Sequence, residues 1–187
     1  MNDEKTDLSA GAAPVLRVNR LAISVNAEEG MQPLVHELSF DLHRGETLAI
    51  AGESGSGKSL TSLAIMGLLP PPAVRVTGGA IHFGDQELTA LGENALRQIR
   101  GNRIAMIFQE PMTSLNPVMK IGMQLSEAIC AHELISFKSA RARALEALKA
   151  VRLSEPEKRL NQFPHEFSGG MRQRVMIAMA IALKPDV

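Results

Sequence analysis

The sequence contains no Trp and no Tyr, and only 6 of its 187 residues are Phe. Few aromatic side chains leave little of the stacking surface that single-strand nucleic-acid binders use. Lys and Arg together number 20, as do Asp and Glu, so the formal net charge is +0. A neutral chain has no overall field that attracts nucleic acid or an anionic membrane. The composition therefore predicts no nucleic-acid partner.

Cysteine and long apolar runs are also scarce. The single Cys130 excludes an intramolecular disulfide framework and a multi-cysteine zinc site, and we expect it to be an inert helix residue. The longest apolar run, residues 175–183, is far below the roughly 18 residues that span a bilayer. Residues 1–14 begin with acidic side chains, which do not suit a secretory signal, and are predicted to form a disordered tail. We expect a globular chain that reaches a membrane only through a partner.

The most informative stretch is residues 52–59, GESGSGKS, which fill every fixed position of the phosphate-binding pattern G-x-x-x-x-G-K-[ST]. Glycines let the backbone curl so that successive N–H groups point inward at an anion. Lys58 can reach the β- and γ-phosphates of a nucleotide, and the Ser59 hydroxyl can bind Mg²⁺. The predicted cofactor-binding residues of this loop are Gly52, Glu53, Ser54, Gly55, Ser56, Gly57, Lys58, Ser59 and Leu60.

The rest of the first half has the pattern of short strands. A buried strand is predicted at residues 47–51 before the loop, and an apolar helix at 60–69 after it, with its N-terminus towards the phosphates. A second buried strand, residues 104–108, ends at Gln109. The other predicted elements are strands at 16–18, 21–25 and 38–42, a hairpin connection at 26–33, a strand and turn at 77–85, and a polar helix at 93–100.

Helical signals dominate after Gln109. The loop at residues 110–117 contains two prolines, which prevent regular structure. Ser139 is predicted to cap a helix with apolar positions at Ala144, Leu145, Leu148 and Val151, and residues 154–157 match a capping box that opens another helix.

A second anion site is predicted at residues 167–174, FSGGMRQR, directly before an apolar helix. A Ser-Gly-Gly helix start offers free N–H groups and the positive end of the helix dipole, with no side chain to block an anion. Ser168, Gly169 and Gly170 are the candidate residues, and an ordinary N-cap is the alternative interpretation. The predicted buried face of this helix comprises Val175, Met176, Met179, Ala180 and Leu183.

In this order, the phosphate loop, the glutamine after a strand, the helical insert and the Ser-Gly-Gly helix resemble the nucleotide-binding subunit of an ABC transporter. The resemblance implies an α/β P-loop NTPase with a RecA-like core, an N-terminal antiparallel β subdomain and a helical subdomain. Residues 52–59 correspond to Walker A, Gln109 to the Q-loop glutamine, and residues 168–173 to the signature motif. The implied division is a tail at 1–14, a β subdomain and Walker A core at 15–110, a helical subdomain at 111–167, and the signature helix with a truncated core at 168–187.

The resemblance also implies a mechanism. Two such domains sandwich ATP, each P-loop facing the signature motif of the other. Gln109 is implied to contact Mg²⁺ and the attacking water, which makes it the catalytic candidate and, with Ser59, a metal-binding candidate. From the residues alone, Gln109 could equally be a solvated strand end.

The sequences of residues 106–117 and 167–179 are similar to those of the dipeptide, oligopeptide and glutathione importer branch of this family. That branch implies ATP and Mg²⁺ as cofactors, with transmembrane permease subunits and a second ABC ATPase domain as partners. It also implies a periplasmic binding protein as an indirect partner, and the cytoplasmic face of the bacterial inner membrane as the location.

Residues 184–187 resemble the approach to Walker B, whose carboxylates we expect beyond Val187. The core is therefore expected to be incomplete. Two alternatives stay open: a nucleotide-binding fragment without turnover, and a non-transport ABC ATPase acting on nucleic acid.

Overall fold

The computed structural model describes residues 13–28, 30–108 and 114–187. The chain divides into two compact units, with the boundary between Leu96 and Arg97. Most of the predicted tail, and Gln109 with the start of the loop after it, lie outside the described residues.

The first unit is built on a four-stranded antiparallel sheet, with strand order β2-β1-β3-β4. Its buried face consists of branched and aromatic residues such as Leu21, Ile23 and Ile81, each 0% exposed. The helix α1 supplies Thr61 and Ala64 to the buried residues of this unit. The elements are β1 (Leu16–Ala27), β2 (Gly30–Leu42), α1 (Lys58–Ile65), β3 (Val74–Phe83), β4 (Gln86–Glu87), a 3₁₀ turn (Leu88–Ala90) and α2 (Glu93–Ile99), which crosses the unit boundary.

The two predicted runs at 16–18 and 21–25 are one strand with a bulge. Val18 and Leu21 are three residues apart, so a regular strand would place them on opposite faces. The register with β2 shifts between these two residues, and Arg20 has φ 48°, which keeps both side chains buried. Likewise β1 and β2 continue through the predicted hairpin connection, since Ala27 already pairs with Gly30.

Opposite this bulge, Gly79 is expected to be the most sensitive glycine of the sheet. Its φ is +77°, and a Cβ would lie 2.2 Å from the carbonyl oxygen of Arg20. Gly79→Ala should lower the free energy of unfolding by about 3 kcal/mol, because backbone strain and a backbone clash combine. Urea unfolding measures this.

Gly84 is the matched control for that substitution. Its φ is +55°, but a Cβ there would meet nothing within 4 Å. Gly84→Ala should therefore cost only about 1 kcal/mol, from the left-handed backbone alone. Equal losses for the two variants would contradict the close approach of β1 to β3.

The predicted buried strand at residues 47–51 is wrong. These residues have no strand assignment, and Leu48 and Ile50 are each 40% exposed. A parallel strand is buried only when neighbouring strands and helices cover it, and no described residue forms a ladder with this run. The helix after the loop is confirmed but ends earlier than predicted, since Gly67 adopts φ 61° just beyond the C-cap Met66.

The second predicted buried strand, residues 104–108, is confirmed only at its first residue. Ile104 is buried and forms a bridge with Arg100, and the Ala105 amide donates to the Val187 carbonyl at 2.9 Å. Ile107 and Phe108 are 46% and 45% exposed and have no strand assignment. The apolar sequence is typical of a core segment, but no described residues pack over Ile107 and Phe108 closely enough to bury them.

The second unit is helical. Its core includes Leu125, Ala144, Leu148, Phe167 and Val175. None of its described helices, nor any in the described part of the first unit, is long and apolar enough to cross a membrane. The elements are α3 (Ile121–Cys130), α4 (Phe137–Ala150), α5 (Pro156–Arg159), a 3₁₀ turn (Pro164–Glu166) and α6 (Gly169–Ile181).

Two predicted helix caps are wrong in detail. Ser136, not Ser139, is the N-cap of α4, and its side chain accepts a hydrogen bond from the Ser139 amide at 3.2 Å. A helix does open at Pro156, but its N-cap Glu155 has φ 52° and makes no side-chain cap, so the capping box predicted there does not form. In both cases several polar residues lie near one helix start, and the sequence pattern does not show which of them is the N-cap.

Candidate functional site

The loop of residues 52–59 closes on itself through its lysine. The Lys58 ammonium donates to the carbonyl oxygens of Gly52 at 2.7 Å and Glu53 at 2.6 Å, and to the Ser56 hydroxyl at 3.2 Å. These contacts tie the start of the loop to its end. The cation thus lies inside the ring of the loop, where it can exchange carbonyl partners for phosphate oxygens.

Gly57 fixes the junction between the loop and α1. It has φ 88°, and a Cβ would lie 2.6 Å from Cγ2 of Val35 and 3.2 Å from the carbonyl oxygen of Leu34. The loop therefore packs directly against β2, and only glycine permits both the approach and the left-handed backbone. The pattern requires glycine here, but nothing in the sequence identifies Val35 as the neighbour that enforces it.

Three hydroxyl side chains lie in the first five residues of α1, and two of them are hydrogen-bonded within the helix or its cap. The hydroxyls of Thr61 and Ser62 donate to the carbonyls of Gly57 and Lys58, at 3.1 Å and 3.4 Å. Ser59 is exposed and its hydroxyl has no hydrogen-bond partner among the described residues. This hydroxyl can therefore coordinate a cation, and Lys58 beside it can bind the anion that accompanies that cation.

At the second candidate site, Ser168 is the N-cap of α6, and its hydroxyl accepts a hydrogen bond from the Met171 amide at 3.3 Å. Ser168 is therefore an ordinary N-cap within this chain, which is the alternative interpretation of the sequence. Gly169 and Gly170 are exposed, and a Cβ at either would meet nothing within 4 Å. Packing within the described residues does not require glycine here, whereas an anion or a second molecule approaching the helix start would.

The side chains that flank the Ser-Gly-Gly sequence anchor it to the helical core. Phe167 is 3% exposed, and the Arg159 guanidinium carbon lies 5.8 Å from the centre of its ring. Met171 packs against the same core cluster. On the predicted buried face, Val175 and Met176 are buried and the other three residues are partly buried, while buried Ala178 was missed.

The predicted role of Gln109 stays a prediction. Gln109 lies outside the described residues, so its contact with Mg²⁺ and water is an implication of the resemblance only.

Clear pKa shifts among the described residues occur only at surface cations. A hydrogen bond to Asp41 raises the pKa of Arg17, and a hydrogen bond to Glu37 raises that of Arg20. A hydrogen bond to Glu146 likewise raises the pKa of Lys149. These pairs are exposed, and exposed pairs contribute little to stability.

Comparison with known proteins gives a consistent result. The family profile described as ABC transporter matches residues 35–187. The oligopeptide transport ATP-binding protein OppD of Bacillus subtilis is 53% identical over 92% of this chain and 48% of its own length. The dipeptide transport ATP-binding protein DppD of the same organism is 50% identical over 92% of this chain and 52% of its own. The chain therefore spans about half the length of the curated relatives it matches.

Solved structures agree on the fold. The ATP-binding cassette MJ0796, in a dimeric post-hydrolysis state bound to ADP and Pi, superposes with a TM-score of 0.78 and 28% identity. The match covers 91% of this chain and 70% of that one. The protein cbiO1 of Clostridium perfringens gives a TM-score of 0.71 at 23% identity, covering 93% of this chain and 63% of its own. The α/β P-loop NTPase fold is confirmed.

Proposed function

Since this chain belongs to the ABC transporter family, we propose that it is the ATP-binding part of an importer ATPase for peptides, such as dipeptides, oligopeptides or glutathione. Two observations together support the proposal. Lys58 closes the loop of residues 52–59 through its contacts with Gly52 and Glu53. Relatives that are 53% and 50% identical are named for oligopeptide and dipeptide transport. ATP is the nucleotide, and the complete natural protein hydrolyses it to drive transport.

The roles of the loop residues follow from their contacts. The N–H groups of residues 52–59 bind the phosphates, and Lys58 neutralises their charge. The Ser59 hydroxyl, which has no hydrogen-bond partner among the described residues, is suited to bind Mg²⁺. We propose Gln109 as the second Mg²⁺ ligand from this chain. Bound Mg²⁺ supplies charge neutralisation at the phosphates. Leu60 lies in the first turn of α1, whose N-terminal dipole favours the anion.

The open space at Gly169 and Gly170 supports the trans arrangement implied by the resemblance. We propose that a second ABC ATPase domain, identical or homologous, presents its P-loop to residues 168–170 of this chain. A nucleotide between the two then joins both surfaces. A side chain at either glycine would occupy the space that the phosphates need.

We further propose that transmembrane permease subunits hold this protein at the cytoplasmic face of the bacterial inner membrane, with a periplasmic binding protein as an indirect partner. We propose four divisions of the chain: a tail at 1–14, the β subdomain and Walker A core at 15–110, the helical subdomain at 111–167, and the signature helix with the start of a truncated core at 168–187.

Co-purification tests this proposal against the nucleic-acid alternative. The tagged complete protein, expressed in its native cells and extracted in mild detergent, should bring down integral membrane subunits and no nucleic acid. Peptide uptake by the reconstituted complex should depend on ATP. Recovery with nucleic acid and without membrane subunits would overturn the transport proposal.

Gln109→Ala gives a more specific test. ATP binding without metal should be unchanged, while Mg²⁺-dependent hydrolysis by the complete protein should fall by about a hundredfold, because water and metal lose a positioning group. Steady-state hydrolysis assays measure this. Normal transport by the assembled complex carrying Gln109→Ala would refute the role.

A further inference from the structure

Helices α4 and α6 each contribute an arginine that caps the other helix. From α6, Nη1 of Arg174 donates to the carbonyl oxygens of Val151 at 2.8 Å and Arg152 at 3.1 Å. From α4, Nη2 of Arg143 donates to the carbonyl oxygen of Ala182 at 3.0 Å, and the same guanidinium pairs with Glu133. Val151 and Ala182 are the C-cap residues of α4 and α6. We call these two side chains the arginine clamp.

The clamp satisfies two physical demands at once. The last carbonyls of a helix have no partner within the helix, and the C-terminal end of the helix dipole favours a cation. Hydrogen bonds from a charged donor are also stronger and more directional than neutral ones. Because Arg174 reaches the end of α4 while Arg143 reaches the end of α6, the helices run in opposite directions and are tied at two separate places.

Small side chains dominate the buried face of α4, whose buried residues are Ala140, Ala144, Ala147 and Leu148. Small side chains permit close approach, and burial of apolar surface is not directional. The hydrogen bonds of the clamp are directional, so a slide of α6 along α4 would break them.

We propose that Arg143 and Arg174 are positioning residues, which set the axial position of α6 and hence of Ser168, Gly169 and Gly170 at its start. The inference rests on the proposed function of that sequence. A displacement of about 1 Å at a group that contacts phosphates can reduce a rate by about a hundredfold. The clamp residues themselves touch no nucleotide in this account.

The test uses the complete natural protein with Arg174→Ala and Arg143→Ala. The matched control is Arg141→Ala, because Arg141 also lies on α4 and donates to Asn161 at 2.7 Å without reaching α6. Steady-state hydrolysis separates kcat from KM, a fluorescent ATP analogue reports P-loop affinity, and thermal unfolding reports stability. Both clamp variants should lose about tenfold or more in kcat with KM within about twofold, and the control should lose neither.

Lysine variants provide rescue. Arg174 reaches both of its carbonyls through one nitrogen, so Arg174→Lys should recover most of the lost kcat. Arg143 reaches Glu133 and Ala182 through two different nitrogens, so the single nitrogen of Arg143→Lys should recover less. A kcat equal to that of Arg141→Ala would overturn the proposal. So would parallel losses of stability, nucleotide affinity and kcat in both the alanine and the lysine variants. A wild-type protein that neither binds nor hydrolyses ATP would instead overturn the proposed function.

Discussion

Lys58→Ala is expected to reduce the affinity for ATP by about a hundredfold or more. The substitution removes the only ammonium among residues 52–59, and with it the charged hydrogen bonds to phosphate, each worth about 1.5–3 kcal/mol. It also removes the contacts to Gly52, Glu53 and Ser56 that close the loop. Titration with a fluorescent ATP analogue measures the loss.

The control for Lys58→Ala is Lys138→Ala, which makes the same change of charge at an exposed position of α4. Its ATP affinity should equal that of the wild type. Thermal unfolding should show both variants folded, because the Lys58 ammonium is bound to an exposed loop and not to the core. An unchanged affinity in Lys58→Ala would remove the assignment of residues 52–59 as the phosphate site.

Gly170→Asp is expected to abolish function while leaving the fold intact. Nothing lies within 4 Å of a Cβ at this position, and a carboxylate in the first turn of α6 favours the helix dipole by about 0.3–1 kcal/mol. The midpoint of thermal unfolding should therefore stay the same or rise. Hydrolysis by the complete protein should fall by about two orders of magnitude, because the carboxylate occupies and repels the place of the phosphates.

Gly92→Asp is the matched control for that substitution. Gly92 lies directly before a helix, α2, and, as at Gly170, a Cβ there meets nothing within 4 Å. Hydrolysis should be unaffected, and nucleotide binding at the P-loop should be normal in both variants. If Gly170→Asp hydrolyses ATP as fast as Gly92→Asp does, the start of α6 has no role at the nucleotide.

Local sequence patterns predicted the helices beside the candidate site better than they predicted the sheet. The helices that follow Gly57 and Ser168 depend on short-range chemistry, because glycine, capping hydroxyls and helix dipoles act within a few residues. The runs 47–51 and 104–108 were also apolar, yet a strand exists only where a neighbour pairs with it. Sequence patterns cannot show whether that neighbour is present.

Other features were missed because they depend on residues distant in sequence. The close approach of Gly57 to Val35 joins two separate segments of the first unit. The bulge at Arg20 explains why the sequence of one strand has the pattern of two strands. Val18 and Leu21 are three residues apart, and the bulge places both side chains on the buried face. The arginine clamp joins side chains to carbonyls more than 20 positions away, which no spacing rule anticipates.

If residues 52–59 bind a nucleotide through its β- and γ-phosphates, affinity must depend on those phosphates. Calorimetric titration of the protein with ATP, ADP, AMP and inorganic tripolyphosphate measures this dependence. We expect ATP and ADP to bind, tripolyphosphate to compete with ATP, and AMP to bind at least about a hundredfold more weakly, because AMP lacks the phosphates that Lys58 is proposed to contact. AMP affinity equal to that of ATP, with no competition by tripolyphosphate, would show that residues 52–59 are not the phosphate site.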